Sequence, residues 1–79
     1  MTVSRTDISN AIDHHGDWIL QQPGVAGCDN SNDEQGNPCL RVFTDGISDA
    51  TKNDIKQRVQ PIPVRFEETG PIRAQASYL

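Results

Sequence analysis

The sequence has no apolar run near the roughly twenty residues that a bilayer crossing needs. Residues 1–7 also lack the apolar stretch of a secretory signal peptide. Lysine and arginine form no cluster, whereas a protein that binds nucleic acid needs clustered basic residues to neutralise the phosphates. We therefore expect a soluble, cytoplasmic chain that binds neither membrane nor nucleic acid.

Bases are especially scarce in the first half. Residues 1–39 carry one base and six acids, residues 40–79 carry six bases and five acids, and the net charge is −4. The 79 residues predict one domain spanning 1–79, with 1–5 as a flexible lead-in and 75–79 as a candidate flexible tail. Only 34% of residues are apolar, so the core is small, and a dimer would add buried surface.

Motifs for cofactor binding and catalysis are missing as well. Gly24 and Gly27 follow no strand and precede no Gly-Lys-Ser/Thr, so they form no phosphate-binding loop. The segment from Asp29 begins like a calcium loop, but Glu34 and Leu40 stand where that loop needs glycine and glutamate. We predict no cofactor and a chain that is not an enzyme.

The two cysteines, Cys28 and Cys39, leave several interpretations open. Their spacing fits neither a redox Cys-x-x-Cys pair nor a zinc knuckle. They flank a predicted turn, so they are either two thiols or a disulfide that closes a hairpin in an oxidising compartment. A small thiol enzyme would pair one of them with His14 or His15.

The densest set of metal-ligand types lies in the first helix. His14 and His15 point about 100° apart on a helix and cannot easily chelate one ion together. His14 and Asp17 share a face at i, i+3 and are weak candidates for a metal site. A third ligand is not visible, so we predict no metal.

The hydrophobic pattern predicts five elements. A helix over about 7–21, capped by Thr6 or Asp7, ends before Pro23. Residues 25–28 predict a strand buried under a helix, with Gly27 permitting close approach, and 29–38 a polar turn. The pattern then predicts a strand at 39–44, a helix at 48–59 and a strand at 62–66.

These elements predict an α+β fold in the order α-β-β-α-β. We expect an open-faced, two-layer sandwich whose antiparallel sheet carries both helices on one face. It would be a ferredoxin-like variant in which the first strand is missing or is shortened into residues 1–5. The core is predicted from the large apolar residues Ile8, Ile12, Trp18, Ile19, Leu20, Leu40, Val42, Phe43, Ile55, Val59, Ile62, Val64 and Phe66.

Several short motifs follow one another along the chain. They are Pro-Gly-Val-Ala-Gly at 23–27, a polar turn with Gly36, Leu-Arg-Val-Phe at 40–43, and the stretch 62–74. The pattern resembles the segment that precedes trypsin-like serine peptidase domains in some bacterial proteins, and it covers about residues 10–74. It departs from that pattern at Cys28-Asp29, where the family continues with glycine. The resemblance implies a small accessory module without catalytic residues.

We therefore expect a non-catalytic accessory or protein-interaction module. Arg41, Phe43 and Arg65 are predicted on the uncovered face of the sheet, as a surface for a protein partner or for self-association. A free strand edge is a second candidate surface. A peptidase inhibitor or propeptide-like chaperone that uses the tail at 71–79 is the alternative function, followed by a small thiol- or metal-dependent enzyme.

Overall fold

The computed structural model describes residues 3–69. The chain forms helix α1 (Arg5–Leu20), strands β1 (Val25–Asn32) and β2 (Pro38–Thr44), helix α2 (Asp49–Val59) and strand β3 (Val64–Glu68). This is the predicted order α-β-β-α-β in an α+β fold. The predicted tail at 75–79 and the first two residues of the lead-in lie outside the described residues.

The three strands form a mixed sheet in the order β1-β2-β3. β1 and β2 pair antiparallel as a hairpin, as predicted. The expectation of a wholly antiparallel sheet is wrong, because β3 runs parallel to β2. The physical reason is the crossover through α2, which returns the chain to the end of the sheet where β2 began.

The ferredoxin-like expectation holds only in part. A split β-α-β unit keeps another strand between its two parallel strands. Here the amide of Leu40 donates directly to the carbonyl of Pro63 at 2.9 Å, so β2 and β3 are immediate neighbours. Among residues 3–69 the sheet has no strand before α1, and that helix begins at Arg5.

Both helices pack on the face of the sheet that carries Leu40 and Val42. Alternate residues of a strand point to opposite faces, and these two side chains are completely buried together with residues from α1 and α2. The fully buried cluster consists of Ile8, Ile19, Leu40, Val42, Ile55 and Val59. Of the predicted core residues, Leu20 is 49% exposed, and Phe43 lies on the opposite face of the sheet. Within the described range, neither helix combines the length and the apolar content that a membrane crossing requires.

The helix starts follow from side-chain caps. In α1 the hydroxyl of Ser4 accepts the amide of Asp7 at 3.1 Å, and the Asp7 carboxylate accepts the amide of Ser4 at 2.9 Å. This reciprocal capping box starts the helix two residues earlier than predicted, and neither Thr6 nor Asp7 is the cap. In α2 the cap is Ser48, the residue at which the sequence predicts the helix to begin.

The hairpin is longer than the sequence predicts. β1 continues through Asn32, so the predicted polar turn at 29–38 shrinks to residues 33–37. There the Asp33 carboxylate accepts the amides of Gln35 and Asn37, each at 2.9 Å. An aspartate that binds amides two and four residues ahead fixes a short turn, so the polar residues before it are free to pair as a strand.

β3 begins two residues later than predicted. The amide of Ile62 donates to the carbonyl of Val59 at 2.9 Å and so belongs to the turn that ends α2. Pairing with β2 then runs from Val64 to Glu68. Val64 and Phe66 pack against the core, as predicted.

Gly24 joins α1 to β1 where the chain passes close to the segment before α2. Its φ is +86°, and an added Cβ would lie 2.7 Å from the Cα of Ile47. The carbonyl of Gly24 accepts the amide of Asp45 at 2.7 Å. Both the left-handed backbone and the close approach therefore require glycine at this position.

We expect Gly24→Ala to lower the free energy of unfolding by about 2 kcal/mol or more, because strain from the positive φ adds to a clash with backbone. Gly36→Ala is the control, since Gly36 has a φ of +85° with nothing within 4 Å of the added Cβ. It should cost about 1 kcal/mol. Urea denaturation measures both variants, and equal losses would contradict the role of the Ile47 contact.

Glu68, the last residue of β3, is hydrogen-bonded to the end of β2 and to the loop that follows it. Its carboxylate accepts the hydroxyl of buried Thr44 at 2.8 Å and the amide of Gly46 at 2.9 Å. These two hydrogen bonds, the one from Thr44 above all, lower the pKa of Glu68 below its ordinary value. The ionised carboxylate is therefore the form that the fold stabilises.

We expect Glu68→Gln to lower stability at pH 7, and the loss to shrink as pH falls. A lowered folded-state pKa means that Glu68 stabilises the fold fully above its unfolded pKa, and that this contribution disappears as pH falls through the folded pKa. Thermal unfolding of the wild type and the variant between pH 7 and pH 3 measures the difference. Glu34→Gln, at an exposed loop position, is the control, and a pH-independent difference for Glu68→Gln would contradict the prediction.

Candidate functional site

Both helices pack on the side of Leu40 and Val42, so neither helix covers the opposite face of the sheet, which we call the open face. Strand pairing sets its side chains in rows across the three strands. Asp29 pairs with Arg41, which pairs with Arg65. We call these three residues the ionic row. The predicted surface residues Arg41 and Arg65 are thus direct neighbours on this open face.

The ionic row is held by hydrogen-bonded ion pairs. The Nε and Nη2 atoms of Arg41 donate to the two carboxylate oxygens of Asp29 at 3.0 and 2.8 Å, which is a bidentate pair. Glu67 Oε1 accepts Arg65 Nη2 at 3.1 Å and lies 3.7 Å from Arg41 Nη1. The charges of Asp29, Arg41, Arg65 and Glu67 sum to zero, although Glu67 lies outside the row. The hydrogen bond with Asp29 raises the pKa of Arg41 further, so its guanidinium stays charged.

A second row lies beside the first and contains the predicted aromatic residue. Gly27 pairs with Phe43, which pairs with Glu67, and we call these three the aromatic row. The guanidinium carbon of Arg41 lies 4.6 Å from the centroid of the Phe43 ring, a cation–π contact. An added Cβ at Gly27 would meet that ring at 3.6 Å. Gly27 therefore leaves room for Phe43, and its predicted role under a helix is wrong.

The two cysteines are free and lie on opposite faces of the sheet. Cys28 pairs with Val42 and packs against the core, whereas Cys39 pairs with Ser31 on the open face, where it is nevertheless buried. In this arrangement they cannot form the disulfide that the sequence left open. Burial raises the pKa of both thiols, which lowers the thiolate fraction at neutral pH.

The two histidines line a cleft on the helix side of the molecule. It has a volume of about 330 Å³ and lies between α1 and the end of α2. Asp7 contributes a carboxylate, and the apolar walls come from Val3, Ala11, Val59, Pro61 and Ile62. The sheet separates Cys39 from this cleft, and Cys28 does not line it, so neither thiol meets an imidazole there.

The predicted metal candidates do not converge. His14 Nδ1 lies 2.8 Å from the carbonyl of Asn10, one turn back along α1, and that contact occupies the nitrogen. Asp17 is exposed and does not line the cleft. Among residues 3–69, no three of histidine, cysteine, aspartate and glutamate come together in a metal-binding group.

Comparison with known proteins adds no relative. No family model matches the chain, and no curated protein or solved structure shows significant similarity to it. The resemblance to the segment that precedes trypsin-like peptidase domains therefore stays a prediction.

Sequence reasoning missed one residue of the open face, Asp29. Asp29 was assigned to a turn, which hid its position opposite Arg41 on a neighbouring strand. Alternation alone would put Asp29 on the core-facing side with Val25, whereas the irregular register between Val25 and Gly27 turns Gly27 and Asp29 to the open face. Alternation along β3 puts Glu67 on the face of Arg65, two residues away on the same strand, whereas its approach to Arg41 depends on the parallel register with β2.

We expect a double-mutant cycle with Asp29→Asn and Arg41→Gln to show a coupling energy of about 1 kcal/mol, because a partly shielded bidentate pair is at the upper end for surface ion pairs. The control cycle uses Glu67→Gln and Arg65→Gln, whose single hydrogen bond should couple by about 0.3 kcal/mol. Urea denaturation at low micromolar concentration measures both cycles. Equal coupling in the two cycles would show that the bidentate geometry adds nothing.

Proposed function

We propose that this chain is a non-catalytic protein-interaction module that binds through the open face of its sheet. The observation that carries the proposal is the pair of rows on that face, where ion pairs and a cation–π contact hold two arginines and an aromatic ring, and where neither helix of residues 3–69 covers them. Arginine and aromatic residues are enriched in the parts of protein interfaces that contribute most to binding.

The ion pairs support this function because they fix the side chains before a partner arrives. Arg41 is held by Asp29 on one side and stacks on Phe43 on another. Its side chain is 27% exposed, against 44% for Arg65 and 42% for Asp29. A partner would therefore contact an already ordered Arg41 on the central strand and more exposed charges on the outer strands. Because Arg41 is already ordered, less side-chain entropy is lost on binding.

The free strand edges are the weaker candidate surface. β1 has an irregular register between Val25 and Gly27, which disturbs the line of backbone groups that an added strand would need. β3 has five residues, of which Arg65, Glu67 and Glu68 are charged. Short, charged and irregular strands are typical of edges that avoid pairing with another chain.

The alternative functions rest on fewer observations. The peptidase-inhibitor hypothesis depends on the tail at 71–79, which lies outside the described residues. The thiol-enzyme hypothesis needs a cysteine beside an imidazole, and neither Cys28 nor Cys39 meets one at the cleft. Both hypotheses stay predictions of the sequence, whereas side-chain contacts among the described residues support binding at the open face.

Site-specific photo-crosslinking in the cells that produce the chain tests the proposal. A photoreactive amino acid replaces Ser31 on the open face in one variant and Pro63, which precedes β3, in another. Matched controls carry it at Asp13 and Asn53, which are exposed on α1 and α2. We expect a discrete adduct from the first two positions and none from the helix positions.

The mass of the adduct then identifies the partner as a second copy or another protein. No adduct from Ser31 and Pro63 would overturn the proposal, as would the same adducts from all four positions. A circular dichroism spectrum of each purified variant that matches the wild type confirms that substitution has left the fold intact.

A further inference from the structure

We propose that the partner is a second copy of this chain, which packs open face to open face about a two-fold axis parallel to β2. The proposal rests on the proposed function, since it names the occupant of the same surface. The observation that carries it is the distribution of charge across the ionic row, which is acidic on β1 and basic on β3.

Symmetry determines which residues meet. A two-fold axis parallel to β2, lying between the facing sheets, exchanges β1 with β3 and keeps each residue at its height along the strands. Asp29, Arg41 and Arg65 share one height, because they pair in register across the sheet. Asp29 of one copy therefore lies opposite the partner's Arg65, and its own Arg65 lies opposite the partner's Asp29. The interface is isologous, with each contact made twice.

The most accessible opposite charges of the ionic row are the ones that meet. Asp29 and Arg65 are on the outer strands, and their side chains are 42% and 44% exposed. Each keeps hydrogen-bonding capacity beyond its contacts within the chain, because a carboxylate accepts about four hydrogen bonds and a guanidinium donates five. The two new pairs would form at the periphery of the interface, where charge selects the partner and the orientation.

The aromatic row fits the same axis. Phe43 lies on the central strand, so its ring faces the partner's Phe43 across the axis, and aromatic pairs of this kind favour association. Gly27 lies at the same height on β1 and adds no side chain. The partner's Glu67 lies opposite Gly27, beside the Phe43 ring, which occupies part of the space above this glycine.

Sheet twist is compatible with this pairing. Facing sheets pack about 10 Å apart with their strands rotated by about 30°. With strands about 4.8 Å apart, that rotation shifts an outer strand by only about 2 Å along its length. Arginine and aspartate side chains span both the gap and the shift.

A two-fold axis perpendicular to the strands fits the charges less well. It would place β1 against the partner's β1, so that Asp29 would meet the partner's Asp29, its Gly27 or its Ser31. The first contact brings like charges together, and the other two create no new pair of opposite charges. The axis parallel to β2 is the one that gives Asp29 an opposite charge.

Charge reversal on the two outer strands tests this geometry in analytical ultracentrifugation. Asp29→Arg places two cations opposite each other in its homodimer, and Arg65→Asp places two anions opposite each other. We expect each variant to dimerise at least about ten-fold more weakly than the wild type. An equimolar mixture should recover association within about three-fold of the wild type, because Arg at 29 then meets Asp at 65 and Asp29 meets Arg65.

Recovery in the mixture is the decisive result, since two misfolded variants would not restore each other. Wild type that stays monomeric at millimolar concentration would overturn the second-copy proposal, and so would a dimer that both variants leave unchanged or a mixture without recovery. If either variant fails to fold, the wild-type dimer is compared at about 0.05 and 0.5 M salt. It should weaken at high salt, and equal association at both would overturn the proposal.

Failure here is distinguishable from failure of the proposed function. A monomeric wild type that crosslinks from Ser31 and Pro63 to a different protein retains the interaction module and excludes the second copy. A monomeric wild type without any adduct from those positions excludes both.

Discussion

The structure depends on β2 and on the period of two along it. This strand is the only one in the described sheet with neighbours on both sides, and it pairs antiparallel with β1 and parallel with β3. Leu40 and Val42 point into the core beneath both helices, while Arg41 and Phe43 point to the open face. A slip of one residue would exchange these sets, so burial of the apolar pair holds the charged and aromatic pair outside.

The same constraint links stability to the proposed binding. Burying Leu40 and Val42 fixes the register of β2 with both neighbouring strands. This register aligns Asp29, Arg41 and Arg65 in one row. The bidentate pair between Asp29 and Arg41 contributes little to folding by comparison, as surface ion pairs generally do. Its consequence is geometric, because it holds a guanidinium against Phe43 and leaves charge of opposite sign at the two outer strands.

The ends of the sheet show how local contacts support this arrangement. Gly24 lets the chain pass against Ile47 between α1 and β1, and Glu68 binds both Thr44 and the amide of Gly46. Both contacts involve the loop after β2, at the end of the central strand where Thr44 lies. They keep β3 beside β2 in a small domain whose core has few large apolar residues.

The sequence by itself determined the element order, the face of each apolar residue in β2 and β3, and the hairpin, because these follow from periodicity and from nearby turn residues. It placed Arg41, Phe43 and Arg65 on one surface for the same reason. Only the tertiary structure decided that β3 is parallel and adjacent to β2, that Asp29 meets Arg41, and that Cys28 and Cys39 lie on opposite faces. These features depend on pairing between segments far apart in the chain, where the balance of packing and crossover geometry, rather than any local pattern, sets the register.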